Sequence, residues 1–209
     1  MKNRYKFGIA LCAVLLINHM GSDPASAQSI WGSWGKNTVS DKQVVSFPKS
    51  FSGGQIVVSF GDRRLYHITS TGTAISYPIA VPRPQSRWQG ILRVSRKKVD
   101  PPWTPTPRML RENPKLPRHV RGGDPKNPLG IRAIYLGSTL FRIHGTDAPW
   151  TIGKNVSKGC IRMHNAHVVE LYKRTKLGMK VTSTWKKFKT STVAASTSES
   201  RSFDPFRVN

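Results

Sequence analysis

Two residues that can perform acyl transfer lie close together in the segment IHGTDAPWTIGKNVSKGCIRM, where Cys160 follows His144 by 16 positions. A free thiol with a pKa near about 8.5 is mostly protonated at neutral pH, and an adjacent imidazole can take its proton and hold the resulting ion pair. The intervening loop can fold back because closing a loop of this size costs little chain entropy. The pair predicts nucleophilic catalysis, with Cys160 as nucleophile and His144 as base.

Glycines next to both residues fit this chemistry. Gly159 has no side chain, so the backbone N–H groups of Gly159 and Cys160 can approach a substrate carbonyl and stabilise an oxyanion. A working imidazole also needs an acceptor for its other nitrogen, and the carbonyl of Gly145 or of a neighbour can supply it.

The run HGT followed by SKGCIRM resembles the signature of the L,D-transpeptidase catalytic domain, also called the YkuD family, and the likeness extends over about residues 52–183. The resemblance implies a mostly β, β-sandwich-like domain with one or two short helices and long ordered loops. It implies no cofactor and no metal. The substrate it implies is the peptidoglycan stem peptide, cleaved before the D-Ala at position four. The acyl acceptor is then the amine of another stem peptide, giving a 3→3 cross-link, or of an envelope protein.

The family roles map onto named positions of this sequence. Beside Cys160, His144, the oxyanion donor Gly159 and the orienting Gly145, the resemblance implies substrate-binding positions at Ser157, Lys158 and Arg162. Lys158 replaces the histidine often found there. Its positive charge favours the Cys160 thiolate, or its long side chain simply points to water. Arg162 either forms a structural ion pair or meets a substrate carboxylate.

Other readings of the same residues remain open. An isolated cysteine is usually an inert core residue, but the surrounding motif favours a nucleophile. Hydrolysis at the same bond shares every step up to the thioester, and a non-catalytic wall-binding module is a third hypothesis. Zinc binding by Cys160, His164 and His167 is disfavoured because only three ligands are present.

Hydrophobic patterning predicts the elements that carry these residues. Antiparallel strands are expected at 55–60, 64–69 and 73–81, followed by strands at 131–137 and 139–145 and a closing strand at 179–183. A helix capped by Asn165 and ending near residue 178 should bury Val168, Val169, Leu171 and Tyr172. The Pro, Gly and Arg-rich stretches 82–90 and 100–130 are expected to be long ordered loops that line or cover a site.

The two ends of the chain differ in composition from the middle. Residues 1–27 have the basic start, apolar run and Ala25-Ser26-Ala27 site of a cleaved signal peptide, with an uncleaved anchor as the alternative. An irregular arm is expected over 28–50, the catalytic domain over 51–183 and a flexible basic, Ser/Thr-rich tail over 184–209. After cleavage the chain would have no stable membrane span, and Cys160 would be its only cysteine, so it could form no internal disulfide.

The strong positive charge suggests a kind of partner. The chain carries 34 Lys and Arg against 10 Asp and Glu, a net charge of +24, and removal of residues 1–27 with three basic residues and one acid leaves +22. Nucleic acid is the usual partner of such a charge, but export and the scattered basic residues favour acidic wall peptides. We therefore expect a periplasmic or cell-envelope protein that does not bind nucleic acid.

Overall fold

The computed structural model describes residues 41–193, which fold into a mostly β domain with two short helices. The elements in chain order are β1 (Gln43–Ser46), β2 (Gln55–Ser59), β3 (Arg64–Ser70), β4 (Thr73–Pro82), β5 (Gly90–Val99), α1 (Pro107–Glu112), β6 (Arg132–Leu136), β7 (Arg142–His144), β8 (Asn155–Ser157), β9 (Ile161–Met163), α2 (Asn165–Arg174) and β10 (Lys180–Thr184). The predicted mostly β class is confirmed.

The sheet closes on itself. β2, β3 and β4 pair as the antiparallel meander that the sequence predicts. From β2 the pairing continues through β10, β5, β6, β7 and β9, and β9 returns to pair with β4. The result is a mixed eight-stranded barrel, to which β1 and β8 are added alongside β4. The layers of the expected sandwich-like domain are therefore opposite walls of one barrel, and closure removes the exposed edges of its eight strands.

Aliphatic side chains fill the barrel because alternate residues of each strand point to the same side. Ile56, Ile79 and Ile134 are fully buried in this core. Helix α2 adds Val168 and Leu171, both fully buried, while Val169 and Tyr172 on the same predicted face are partly buried.

The structure adds α1, β5, β8 and β9 to the predicted elements, and it shortens one predicted strand. β5 has no apolar alternation, since Val94 is its only fully buried residue and a register shift separates it from Arg96. Its pairing with β6 and β10 is therefore a tertiary feature. β7 is shorter than the predicted strand 139–145 because the chain turns before it, leaving Leu140 65% exposed.

The described parts of the arm and the tail pack on the barrel, which corrects the expectation that they are irregular and flexible. β1 pairs with β4, and Val45 forms a bridge with Thr192. Phe188 is 9% exposed, with its ring centroid 4.7 Å from that of Phe47 and 5.7 Å from that of Tyr66. The predicted signal peptide, residues 28–40 of the arm and residues 194–209 of the tail lie outside the described residues. Within residues 41–193, neither helix is long and apolar enough to cross a bilayer.

Phe188→Ala tests this packing. Removing the ring should lower the free energy of unfolding by about 3–5 kcal/mol, because it leaves a cavity beside Phe47 and Tyr66. Urea denaturation measures the change. Lys189→Ala, at an exposed position, is the control and should stay within about 0.5 kcal/mol of wild type. Equal stability of the two variants would mean that this segment does not pack on the barrel.

Candidate active site

The candidate site is organised by the parallel pairing of β7 with β9. Ile143 pairs with Ile161 and His144 with Arg162, and both isoleucines are fully buried in the barrel core. Since successive side chains of a strand alternate between faces, the neighbours of the isoleucines share the outer face. These neighbours are Arg142 and His144 on β7, Cys160 immediately before β9, and Arg162 on β9. His144 and Cys160 are thus diagonal neighbours, with Cα atoms expected roughly 7–8 Å apart.

His144 is held as a neutral imidazole. Its Nδ1 lies 2.6 Å from the carbonyl oxygen of Gly145. A carbonyl can only accept, so Nδ1 carries the hydrogen and Nε2 is left with its lone pair. The pKa of His144 is lowered from 6.5 to about 3, mainly by burial. The positive charges of Arg162 and Arg142 lower it as well, and the hydrogen bond to the Gly145 carbonyl raises it by a smaller amount.

The Cys160 thiol is partly exposed and donates to the carbonyl of Leu140, with a sulfur to oxygen distance of 3.6 Å. Burial raises the pKa of Cys160 above its ordinary value, while the charge and hydrogen bonds of Arg142 act in the opposite direction. The resting pair is therefore a neutral thiol and a neutral imidazole. This differs from the ion pair considered from the sequence, because burial disfavours both charged forms.

The turn before Cys160 needs a glycine. Gly159 has φ +128°, and a Cβ there would lie 2.7 Å from the Phe141 ring. Trp88 stacks on Phe141, with the two ring centroids 5.0 Å apart. The Trp88 Nε1 also donates to the carbonyl of Gly159 at 3.1 Å. The N–H of Gly159 faces the Ser157 hydroxyl at 3.4 Å, and its role toward an oxyanion stays a prediction.

Ser157 and Lys158 make contacts within the protein. Ser157 is buried and its hydroxyl donates to the carbonyl of Cys160, so it shapes the turn, and its role toward a substrate stays a prediction. Lys158 forms a salt bridge with Glu112 at the end of α1. The Lys158 ammonium is thus directed to the Glu112 carboxylate and not to the thiol. This salt bridge connects the turn before Cys160 to the 100–130 segment.

The contacts of Arg162 support a role in organising the site. Its Nη1 donates to the Thr151 hydroxyl at 2.8 Å, which holds the 3-10 turn Pro149–Thr151 against β9. The Arg162 Nε is buried without a hydrogen-bond partner, and the Asp147 carboxylate lies close enough to interact with its charge.

Several contacts of the site were not foreseen. Asn165 does not cap α2, because His164 holds the cap position. Its amide instead bonds both backbone groups of Thr146, at 3.0 and 2.9 Å, and so fixes the segment after His144. The roles of Trp88, Phe141 and Arg142 were also missed, since their contacts join segments that are distant in sequence or depend on strand register.

A cleft of about 800 Å³ lies beyond the His144 end of β7. Its lining includes Asp147, His164 and His167, and the rings of the two histidines have centroids 5.3 Å apart. In the part of the chain that the structure describes, no three His, Cys, Asp or Glu side chains are arranged to hold a metal ion.

Gly159→Ala tests the contact with Phe141. The side chain should strain the backbone by about 1–3 kcal/mol and also displace Phe141, so alkylation of Cys160 by iodoacetamide should slow at least about fivefold. Mass spectrometry of proteolytic peptides measures the rate. Gly90→Ala is the matched control, because Gly90 has the same φ of +128° with nothing within 4 Å. Similar alkylation of both variants would contradict a special role for the Phe141 contact.

His144→Gln tests the lowered pKa of the base. Because the folded-state pKa of His144 is about 3 against 6.5 ordinarily, the unfolded chain takes up the proton first, and stability is lost as pH falls from about 6.5 toward 3. The variant should lose less stability over this window, with a slope smaller by up to about 1.4 kcal/mol per pH unit. Urea unfolding at several pH values measures it. His119→Gln, on an exposed loop, should keep the wild-type slope, and a wild-type slope for His144→Gln would contradict the prediction.

Comparison with known proteins agrees with the motif. The model of the L,D-transpeptidase catalytic domain, YkuD, matches residues 53–182. The probable L,D-transpeptidase ErfK/SrfK of Escherichia coli (strain K12) is 38% identical over 133 residues, which are 60% of this chain and 42% of that protein. The probable L,D-transpeptidase YbiS of the same strain is 37% identical over 133 residues, 60% of this chain and 43% of that protein.

A solved structure of similar identity is described as a probable carnitine operon oxidoreductase caia from Brucella melitensis. It is 38% identical, with a TM-score of 0.47, and the match covers 70% of this chain and 94% of that one. The two Escherichia coli relatives are matched over less than half of their length. Since the family model covers more than half of the residues, this chain belongs to the L,D-transpeptidase catalytic domain family of enzymes.

Proposed function

We propose that the protein is a peptidoglycan L,D-transpeptidase that works through a thioester on Cys160. The observation that carries the proposal is the shared outer face of β7 and β9, on which a partly exposed thiol lies diagonal to an imidazole with a free Nε2. Nucleophile and base in this relation are the requirement for covalent acyl transfer. A non-catalytic wall-binding module would not need them.

In the first half-reaction the Cys160 sulfur attacks the carbonyl of the third stem residue while its proton passes to Nε2 of His144. The tetrahedral intermediate then collapses, the peptide bond to D-Ala breaks, and the imidazolium returns the proton to the leaving amine. The low pKa of His144 suits this second task, because a weakly basic imidazole gives up its proton readily. The products are a thioester on Cys160 and free D-Ala.

In the second half-reaction an amine attacks the thioester carbonyl. His144 takes the amine proton, the carbon–sulfur bond breaks, and the proton returns to the sulfur, which restores the neutral pair. The N–H groups of Gly159 and Cys160 are the proposed oxyanion donors in both halves. The amine belongs to a second stem peptide, giving a 3→3 cross-link, or to an envelope protein. Water in its place would give a carboxypeptidase.

The charge distribution supports an acidic substrate. Stem peptides carry free carboxylates, and the chain has a net charge of +24. Arg142 and Arg162 place two positive side chains on the face that carries Cys160 and His144. Together with the signal-like residues 1–27, the proposed substrate supports a location in the periplasm or cell envelope.

The experiment that tests this function is mass measurement of the intact protein after mixing with imipenem, which acylates the nucleophile that the proposed thioester requires. We expect one covalent addition to wild type and none to Cys160→Ala. With a tetrapeptide stem, wild type should release D-Ala and Cys160→Ala should not, because only the thiol can form the thioester.

The fate of the acyl group separates transfer from hydrolysis. With an acceptor stem peptide present, a transpeptidase gives cross-linked dimers, while a carboxypeptidase gives only the tripeptide. Folded wild-type protein that is neither acylated by imipenem nor active on the tetrapeptide would overturn the proposal, and so would turnover by Cys160→Ala.

A further inference from the structure

Arg142 is the residue directly across the ladder from Cys160. Ile143 pairs with Ile161 in parallel register, so the residues that precede them, Arg142 and Cys160, are also neighbours. Paired residues of adjacent strands lie about 4.8 Å apart and point to the same face. The backbone of Arg142 therefore lies nearer to that of Cys160 than the backbone of His144 does, because His144 is only a diagonal neighbour.

A row of side chains across three strands holds Arg142 in place. Arg96 on β5 pairs with Tyr135 on β6, and Tyr135 pairs with Arg142 on β7. The guanidinium carbon of Arg142 lies 5.1 Å from the centroid of the Tyr135 ring, and that of Arg96 lies 4.0 Å from it. Both contacts are in the range of cation–π attraction, so Tyr135 positions the Arg142 guanidinium beside Cys160.

The positive charge of Arg142 has no carboxylate to neutralise it. Among the described residues its guanidinium forms no salt bridge, and its Nε is buried without a hydrogen-bond partner. Arg142 is half-buried, and a cation that is partly withdrawn from water is stabilised when it meets an anion. The group that it does meet is the Cys160 thiol, whose sulfur interacts with both the backbone and the side chain of Arg142.

We infer that Arg142 is a further catalytic residue, whose guanidinium stabilises the Cys160 thiolate that forms as His144 accepts the thiol proton. The inference rests on the proposed role of Cys160 as nucleophile. In the resting protein the S–H bond points to the Leu140 carbonyl, and no anion is present for Arg142 to bind. When the proton leaves for His144 Nε2, the new negative charge on sulfur lies beside a guanidinium that forms no salt bridge among the described residues. The charge returns to zero when the sulfur bonds to the substrate carbonyl carbon.

The pH dependence of Cys160 alkylation by iodoacetamide tests this role without any wall substrate. Alkylation is measured on the full chain by mass spectrometry of the peptide that contains Cys160. Arg142→Gln should move the rate profile to higher pH and slow alkylation at about pH 7 at least about tenfold, because a cation next to the sulfur is lost. Arg142→Lys keeps the charge and should recover part of the rate.

Lys98→Gln is the matched control. It removes one exposed positive charge from the face of β5 that carries Arg96, and it should leave the rate profile unchanged. If Arg142→Gln does not fold, Arg142→Met retains the stem that packs on Tyr135 and takes its place. A wild-type profile for the Gln or Met variant would overturn the role of Arg142. The imipenem experiment on wild type is independent of this outcome, so failure of the proposed function and failure of this inference are distinguishable.

Discussion

The parallel register between β7 and β9 is the constraint on which the site depends. A shift of one residue in either strand would turn His144 or Cys160 into the barrel and bring a buried isoleucine to the outer face. Two features hold the register. Ile143 and Ile161 are fully buried, and β9 also pairs with β4, so that it is hydrogen-bonded on both sides. Closure of the barrel therefore fixes the relation between Cys160 and His144, the proposed nucleophile and base.

Burial of the site explains its electrostatics. His144 and Cys160 both lie where charge is poorly solvated, which lowers the pKa of the imidazole and raises that of the thiol. In the proposed reaction the sulfur ionises, and the Arg142 guanidinium is the positive charge that we propose stabilises it. Arginine suits this position, since its guanidinium stays protonated in surroundings that would neutralise a lysine.

Side-chain contacts from distant segments hold the irregular parts of the site. The turn before Cys160 is fastened by Trp88 and Phe141 on one side and by the Lys158 to Glu112 salt bridge on another. The segment after His144 is held by the Asn165 amide. Loops have few ladder hydrogen bonds, so such contacts replace them in setting the positions of the reactive groups.

The sequence by itself determined the mostly β class, the antiparallel meander, the helix after residue 164 and the family, because strand patterning and the spacing around His144 and Cys160 are local signals. It also predicted which two residues carry the proposed chemistry, Cys160 and His144. Only the tertiary structure decided that Ser157 faces inward, that Lys158 pairs with Glu112, that residues 184–193 pack on the barrel and that Arg142 lies beside the thiol. Each of these depends on which segments become neighbours when the sheet closes, and such pairing over long sequence separations leaves no periodic pattern in the residues themselves.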